Sequence, residues 1–143
     1  MKKKTTYDLR TERMDYIFDT HAHYDDEAFD ADREEVLAGL KDQGVGTVVN
    51  VGASIASTKT TLALAEAHSF MYAAVGVHPN ETAELTDADM KWLESLAENP
   101  KVVAIGEIGL DYYWDEPDRK LQKKWFVRQL ALAKEIELPV IIH

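Results

Sequence analysis

Two histidines one residue apart, His21 and His23, close an apolar run that begins at Tyr16. In an extended strand side chains repeat every second residue, so the two imidazoles face the same way. Two imidazoles converging on one point suit a metal ion. Asp19 shares their parity and is expected to orient one ring from behind. Glu107 sits in AIGEIGLDY, a carboxylate inside a strand of Val, Ile and Gly. An unpaired charge there would be expensive, so a cation or a hydrogen-bond donor is expected beside it. His143 ends the apolar run PVIIH, and His78 stands in GVHP, where a turn histidine ahead of proline is the alternative role. His21, His23, Glu107 and His143 together make the mixture a hydrolytic metal site needs. Imidazoles hold a zinc-like ion without cancelling its charge. A carboxylate can bridge two ions about 3.5–4 Å apart, and such a pair makes hydroxide near neutral pH and braces the leaving oxygen.

These residues need a frame. Short apolar runs rich in Val and Ile occur at YIFDTH, 47–52, 71–78, 102–110 and 139–143. Near-continuous runs of this kind belong to strands buried on both faces, as in parallel sheets. Helical patterns lie between them. Residues 31–42 place Val36, Leu37 and Leu40 on one face and stop at Gly44; residues 55–68 are rich in Ala and Leu. Residues 87–98 follow Thr86, with Asp89 three positions on, the pattern of a capping box. Residues 118–137 form the longest helix, with Leu121, Trp125, Leu132 and Ile136 beside Phe126, Leu130 and Ala133.

The alternation of strand and helix implies an α/β protein with a parallel sheet and right-handed crossovers. Periodicity leaves two architectures open, a doubly wound sheet and a (β/α)₈ barrel. In both, active sites form at the carboxyl edge of the sheet. That edge receives His21, His23, Asn50, Gly52, His78, Glu107, Asp111 and His143, and of the histidines only His68 falls elsewhere.

The chain has 143 residues, the size of one domain, and 45% of them are hydrophobic, which excludes disorder as the default. Residues 1–13 are polar, charged and aperiodic and are expected to be a leader or tag, with Met14 as a second start and residues 14–143 as the folded unit. No apolar run approaches the ~20 residues of a membrane span. With no cysteine there is no disulfide framework and no thiolate zinc site, which fits a cytoplasmic protein. Sixteen basic against 26 acidic residues leave a net charge of −10, a field that repels nucleic acid in general. Bound divalent cations would overcome that sign locally. One basic stretch, RKLQKK at 119–124, is either a phosphate contact or a solvated helix face; the aromatics of DYYWDEPD either stack on bases or cap the rim.

FDTHAHYDD, GVHPNE, IGEIGLDYYWD and LPVIIH together closely resemble the TatD family of metal-dependent deoxyribonucleases, from about Tyr16 to His143. The resemblance implies a (β/α)₈ TIM barrel related to the amidohydrolase superfamily, of which this chain holds about the first five strands and four helices. It implies two divalent ions (Mg, Mn or Zn). His21 and His23 would hold the first, His143 the second, and Glu107 would bridge or bind both. His78 would lie near the substrate phosphate, and Asp111 and Arg119 would support the site or meet substrate. The implied activity is exonuclease-like cleavage of DNA, single-stranded or at ends. Alternatives on the same scaffold are a hydrolase of a small ester, amide or phosphoester, or an inactive barrel fragment. The family continues through three more strands, carrying a further histidine ligand and a late aspartate. The 143 residues are therefore expected to be a piece of a longer parent, lacking the remaining barrel half.

Overall fold

The computed structural model describes residues 16–143. The expected leader and the Met14 start lie outside the described residues. Five strands alternate with four helices: β1 Ile17–Ala22, α1 Arg33–Gly39, β2 Val45–Val51, α2 Ile55–Ala67, β3 Met71–Val75, α3 Asp87–Leu96, β4 Val102–Ile108, α4 Arg119–Glu135 and β5 Val140–Ile142. Short 3-10 turns at Glu27–Phe29 and Pro79–Glu81 lie in the loops after β1 and β3.

The strands form one sheet in the order β1-β2-β3-β4-β5, and every neighbouring pair is parallel. That order separates the two architectures. A doubly wound sheet reverses its winding at a switch point; a barrel adds each strand beside the last. The chain is a half-barrel. Its main core lies between sheet and helices and includes Leu37, Val48, Met71, Val75, Leu93, Ile105, Ile108, Trp125 and Leu132. A smaller cluster of Val49, Val51, Ala74 and Ala104 covers the other face, beside Tyr72, Val103 and Ile141.

Burial on both faces holds for β2, β3 and β4 but not for the outer strands. Ile17 and Phe18 on β1 are 60% and 47% exposed, and Ile142 on β5 is 58% exposed. The reason is position, since each outer strand has a hydrogen-bonded neighbour on one side only.

Local chemistry explains the helix ends. Thr86 and Asp89 form the expected capping box, with the Thr86 N–H donating to Asp89 Oδ2 at 2.8 Å and the Asp89 N–H to Thr86 Oγ1 at 3.2 Å. Asp118 caps α4 by accepting from the Lys120 and Leu121 N–H groups. Helix α1 ends at Gly39, earlier than its apolar pattern suggested, because the chain tightens into turns before reversing at Gly44 with φ +85°.

Strands β3, β4 and β5 approach too closely for side chains at two points. A Cβ on Gly76 would stand 2.9 Å from the Gly106 carbonyl oxygen, and one on Gly106 would stand 2.7 Å from Ile141 Cβ. Among the described residues no helix is long and apolar enough to cross a membrane.

Candidate metal centre

The carboxyl ends of β1, β3, β4 and β5 meet at one carboxylate. Glu107, near the end of β4, is only 7% exposed. Its two oxygens face different partners. Oε2 lies 3.5 Å from His21 Nε2 and 3.6 Å from His23 Nε2, while Oε1 lies 2.8 Å from His143 Nδ1. The backbone behind it is pinned, since the Glu107 N–H donates to the Gly52 carbonyl at 2.7 Å and the His78 N–H donates to the Ala53 carbonyl at 2.8 Å. The loop leaving β2 thus holds the backbones of two site residues.

His21 and His23 converge as their parity requires, with Nε2 atoms 3.2 Å apart. His23 Nδ1 lies 2.9 Å from the Val51 carbonyl, which can only accept. The His23 proton therefore sits on Nδ1, and Nε2 presents a bare lone pair. Asp19 does not orient a ring; its carboxylate accepts from the His21 backbone N–H at 3.1 Å. The carbonyl of Val51 supplies the orienting bond that the sequence reading had given to Asp19.

The far side of Glu107 is built differently. His143 is bonded by both ring nitrogens to carboxylates, Nδ1 to Glu107 and Nε2 to Asp111 Oδ2 at 3.0 Å. Burial lowers the His143 pKa, but the hydrogen bonds to Asp111 and Glu107 outweigh it and hold the ring above its usual value. Burial works to raise the Glu107 pKa; the bond from His143 and the nearby His21 and His78 prevail, and the carboxyl stays below its usual range. Asp111 is likewise held low, first by the Tyr113 N–H and then by His143. His78 packs edge-on to His143, ring centroids 4.1 Å apart, and burial with its neighbour His143 pushes its pKa down. The neutral His78 ring accepts the Asn80 N–H at Nδ1, 3.1 Å away, so its proton is on Nε2. His78 is thus a hydrogen-bond donor toward the site.

Donor chemistry tests whether a metal fits. Ligand atoms held at about 2.0–2.2 Å from one ion, at tetrahedral or octahedral angles, stand roughly 3.0–3.5 Å apart. His21 Nε2, His23 Nε2 and Glu107 Oε2 are spaced at 3.2, 3.5 and 3.6 Å, and one of the imidazoles has its lone pair fixed inward. These three residues form one candidate metal-binding group, and His78, Glu107 and His143 form a second. The first fits a divalent ion. In the second, His78 offers an N–H, and His143, bonded to carboxylates through both ring nitrogens, would release a proton to join Glu107 Oε1 as a ligand.

Arg119 does not join the cluster. Its guanidinium pairs with Asp115 at 2.9 Å and lies over the Tyr112 ring at 4.5 Å. Arg128, near the basic stretch, pairs with Asp87 at 2.9 Å, as a solvated helix face does. Tyr113 and Trp114 are exposed at the rim.

The sequence places Asn50 at the sheet edge without showing its role, which is to hold the loops. Asn50 is fully buried; its oxygen accepts the Tyr24 N–H at 2.6 Å, and its amide donates to Asp25 Oδ1 and Thr61 Oγ1, both at 2.8 Å. It ties the segment just after His23 to α2. Asn50→Leu strands these partners and is expected to cost about 1–3 kcal/mol, read as a lower urea midpoint at unchanged slope. Gln122 and Gln129 on α4, both buried, were missed. The available signal was their spacing, seven residues apart on the helix face that carries Trp125 and Leu132.

Residues 18–143 match the family described as TatD related DNase. The chain is 44% identical over 127 residues to the uncharacterized metal-dependent hydrolase YabD of Bacillus subtilis, covering 89% of this chain and 50% of that protein. It is 34% identical over 128 residues to the 3′-5′ ssDNA/RNA exonuclease TatD of Erwinia tasmaniensis, covering 89% of this chain and 49% of that protein. The crystal structure of YjjV, a TatD homologue from Escherichia coli, superposes with a TM-score of 0.83 at 37% identity, over 92% of this chain and 51% of that one. The chain spans about half the length of the curated relatives it matches.

Proposed function

Because the chain belongs to the TatD-related DNase family, we propose that residues 14–143 form the amino-terminal part of a divalent-metal-dependent phosphodiesterase that trims DNA strands from their ends. The carrying observation is the division of Glu107, with one oxygen toward His21 and His23 and the other toward His143. His21 and His23 would hold one ion and His143 a second, with Glu107 shared between them. When bound, divalent ions such as Mg, Mn or Zn activate water and polarise the phosphoryl group.

The chain's own residues do the rest. His23 is kept in one tautomer by the Val51 carbonyl, so its lone pair needs no reorientation. Asp111 holds His143 from the outer side. His78 offers an N–H beside His143 that a phosphate oxygen could accept, and its lowered pKa keeps it a neutral donor that does not repel cations. Nucleic acid is favoured as substrate by the likeness to the Erwinia tasmaniensis protein named 3′-5′ ssDNA/RNA exonuclease TatD.

The test uses the full-length protein and a 5′-labelled single strand with Mg²⁺ or Mn²⁺. A ladder of shortened products, abolished by chelator and restored by added metal, is expected. Intact DNA alongside turnover of a small ester or amide would replace this reading with a general hydrolase.

A further inference from the structure

Two buried glutamines on α4 each grip both the N–H and the carbonyl of one loop residue, and Gln122 reaches a second carbonyl as well. Gln129 Oε1 accepts the Val77 N–H at 2.8 Å, and its Nε2 donates to the Val77 carbonyl at 3.0 Å. Gln122 Oε1 accepts the Asp111 N–H at 2.9 Å, and its Nε2 donates to the Asp111 carbonyl at 2.8 Å and the Pro117 carbonyl at 2.9 Å. Gln129 is 1% exposed and Gln122 is 0% exposed. Val77 and Asp111 lie just past the last paired residues of β3 and β4, where the sheet no longer supplies partners. A buried peptide group without a partner is costly, so something must take the place of the ladder. A primary amide does so with both its donor and its acceptor, as a neighbouring strand would.

Each gripped residue adjoins or bears a site side chain. His78 follows Val77, and Asp111 itself bonds His143. We propose that Gln129 and Gln122 are positioning residues, and that α4 thereby sets the placement of His78 and Asp111 relative to Glu107 and His143. The roles of His78 and Asp111 rest on the function proposed above; the grip itself does not. One rigid helix holds both loops, so their mutual spacing is set at the helix as well as by the bond of the His78 N–H to the Ala53 carbonyl. This gives the two amides a purpose that apolar side chains of equal size, which would complete the core, cannot serve.

The test compares Gln129→Met, which keeps volume and removes both bonds, with His78→Ala and with the double variant, in the full-length protein. If Gln129 acts through His78, Gln129→Met lowers kcat/KM about 10–100-fold. In the His78→Ala background it lowers it little further. A second readout needs no turnover. In metal-free protein the ring resonances of His78 shift in Gln129→Met, while those of His68, which precedes β3 at the opposite, amino-terminal edge of the sheet, stay put. Gln129→Glu keeps an oxygen acceptor for the Val77 N–H and recovers part of the shift; it carries the same comparison should Gln129→Met fail to fold. Multiplicative losses in the double variant, or an unmoved His78 resonance, would overturn the proposal and leave Gln129 a core residue. If the wild-type protein cleaves no strand, the phosphodiesterase reading fails, while the resonance comparison still decides the grip. Gln122→Met, read through the His143 ring that Asp111 touches, is expected to behave in parallel.

Discussion

Glu107→Gln lowers strand cleavage by the full-length protein about 10²–10³-fold, and its thermal midpoint moves by only a few degrees. The substitution keeps shape and volume, so a buried position near the sheet's edge is not emptied. What changes is charge and valence. Glutamate offers acceptors on both sides, to the His21–His23 pair and to His143. Glutamine offers one oxygen and one NH₂. If the NH₂ faces His143, it meets an N–H donor; if it faces His21 and His23, it occupies lone pairs needed for an ion. Either orientation disables one side. His143 also loses one of the two carboxylates that keep its pKa high. Single-turnover kinetics beside a circular-dichroism melt would decide the matter, and a full rate in the variant would refute the shared role of the carboxylate.

Gly106→Ala is the second large effect, and it acts through the frame. The added methyl would lie 2.7 Å from Ile141 Cβ and 3.0 Å from the Ile141 carbonyl oxygen, and neither is the free end of a flexible side chain. The seam between β4 and β5 must open. Overpacking of this kind costs about 1–3 kcal/mol. Because β5 is three residues long and its pairing with β4 holds His143 beside Glu107, the seam cannot open without separating them. Gly106→Ala is therefore expected to lower the urea midpoint and to weaken metal binding together. Calorimetric titration with Mn²⁺ beside a denaturant curve would show both; an unchanged midpoint would mean that the strands accommodate the methyl.

Much of this arrangement was legible because parallel α/β chains place chemistry at one edge. His21, His23, His78, Glu107, Asp111 and His143 each follow or end an apolar run, and the structure gathers them all. The choice between open sheet and barrel was not legible from periodicity. Alternation reports what each segment is, whereas neighbour order is a property of pairs distant in sequence. Resemblance to a known family supplied it, and the sequential pairing of the five strands agrees. Asp19 shows a different limit. Its parity was right, but a short carboxylate reaches the nearest backbone N–H before it reaches a ring. Arg119 has a long side chain and local partners in Asp115 and Tyr112, which outcompete a distant site. Gln122 and Gln129 were hidden because amides on a helix face solvent as readily as core, and only the backbone they grip shows which.

Glu107 is touched from β1 on one side and from β5 on the other, the first and last strands of a sheet in which those two never pair. The β1 contact therefore depends on the curvature accumulated through β2 and β3, whereas β5 is the paired neighbour of the strand that bears Glu107. Such contacts have high sequence separation and form late, after the local pairings that make them affordable in entropy. A partly folded chain that has laid down β1 through β4 holds His21, His23 and Glu107 but lacks His143. Competence at this carboxylate thus needs two events, the bending of β1 toward Glu107 and the docking of β5 that brings His143.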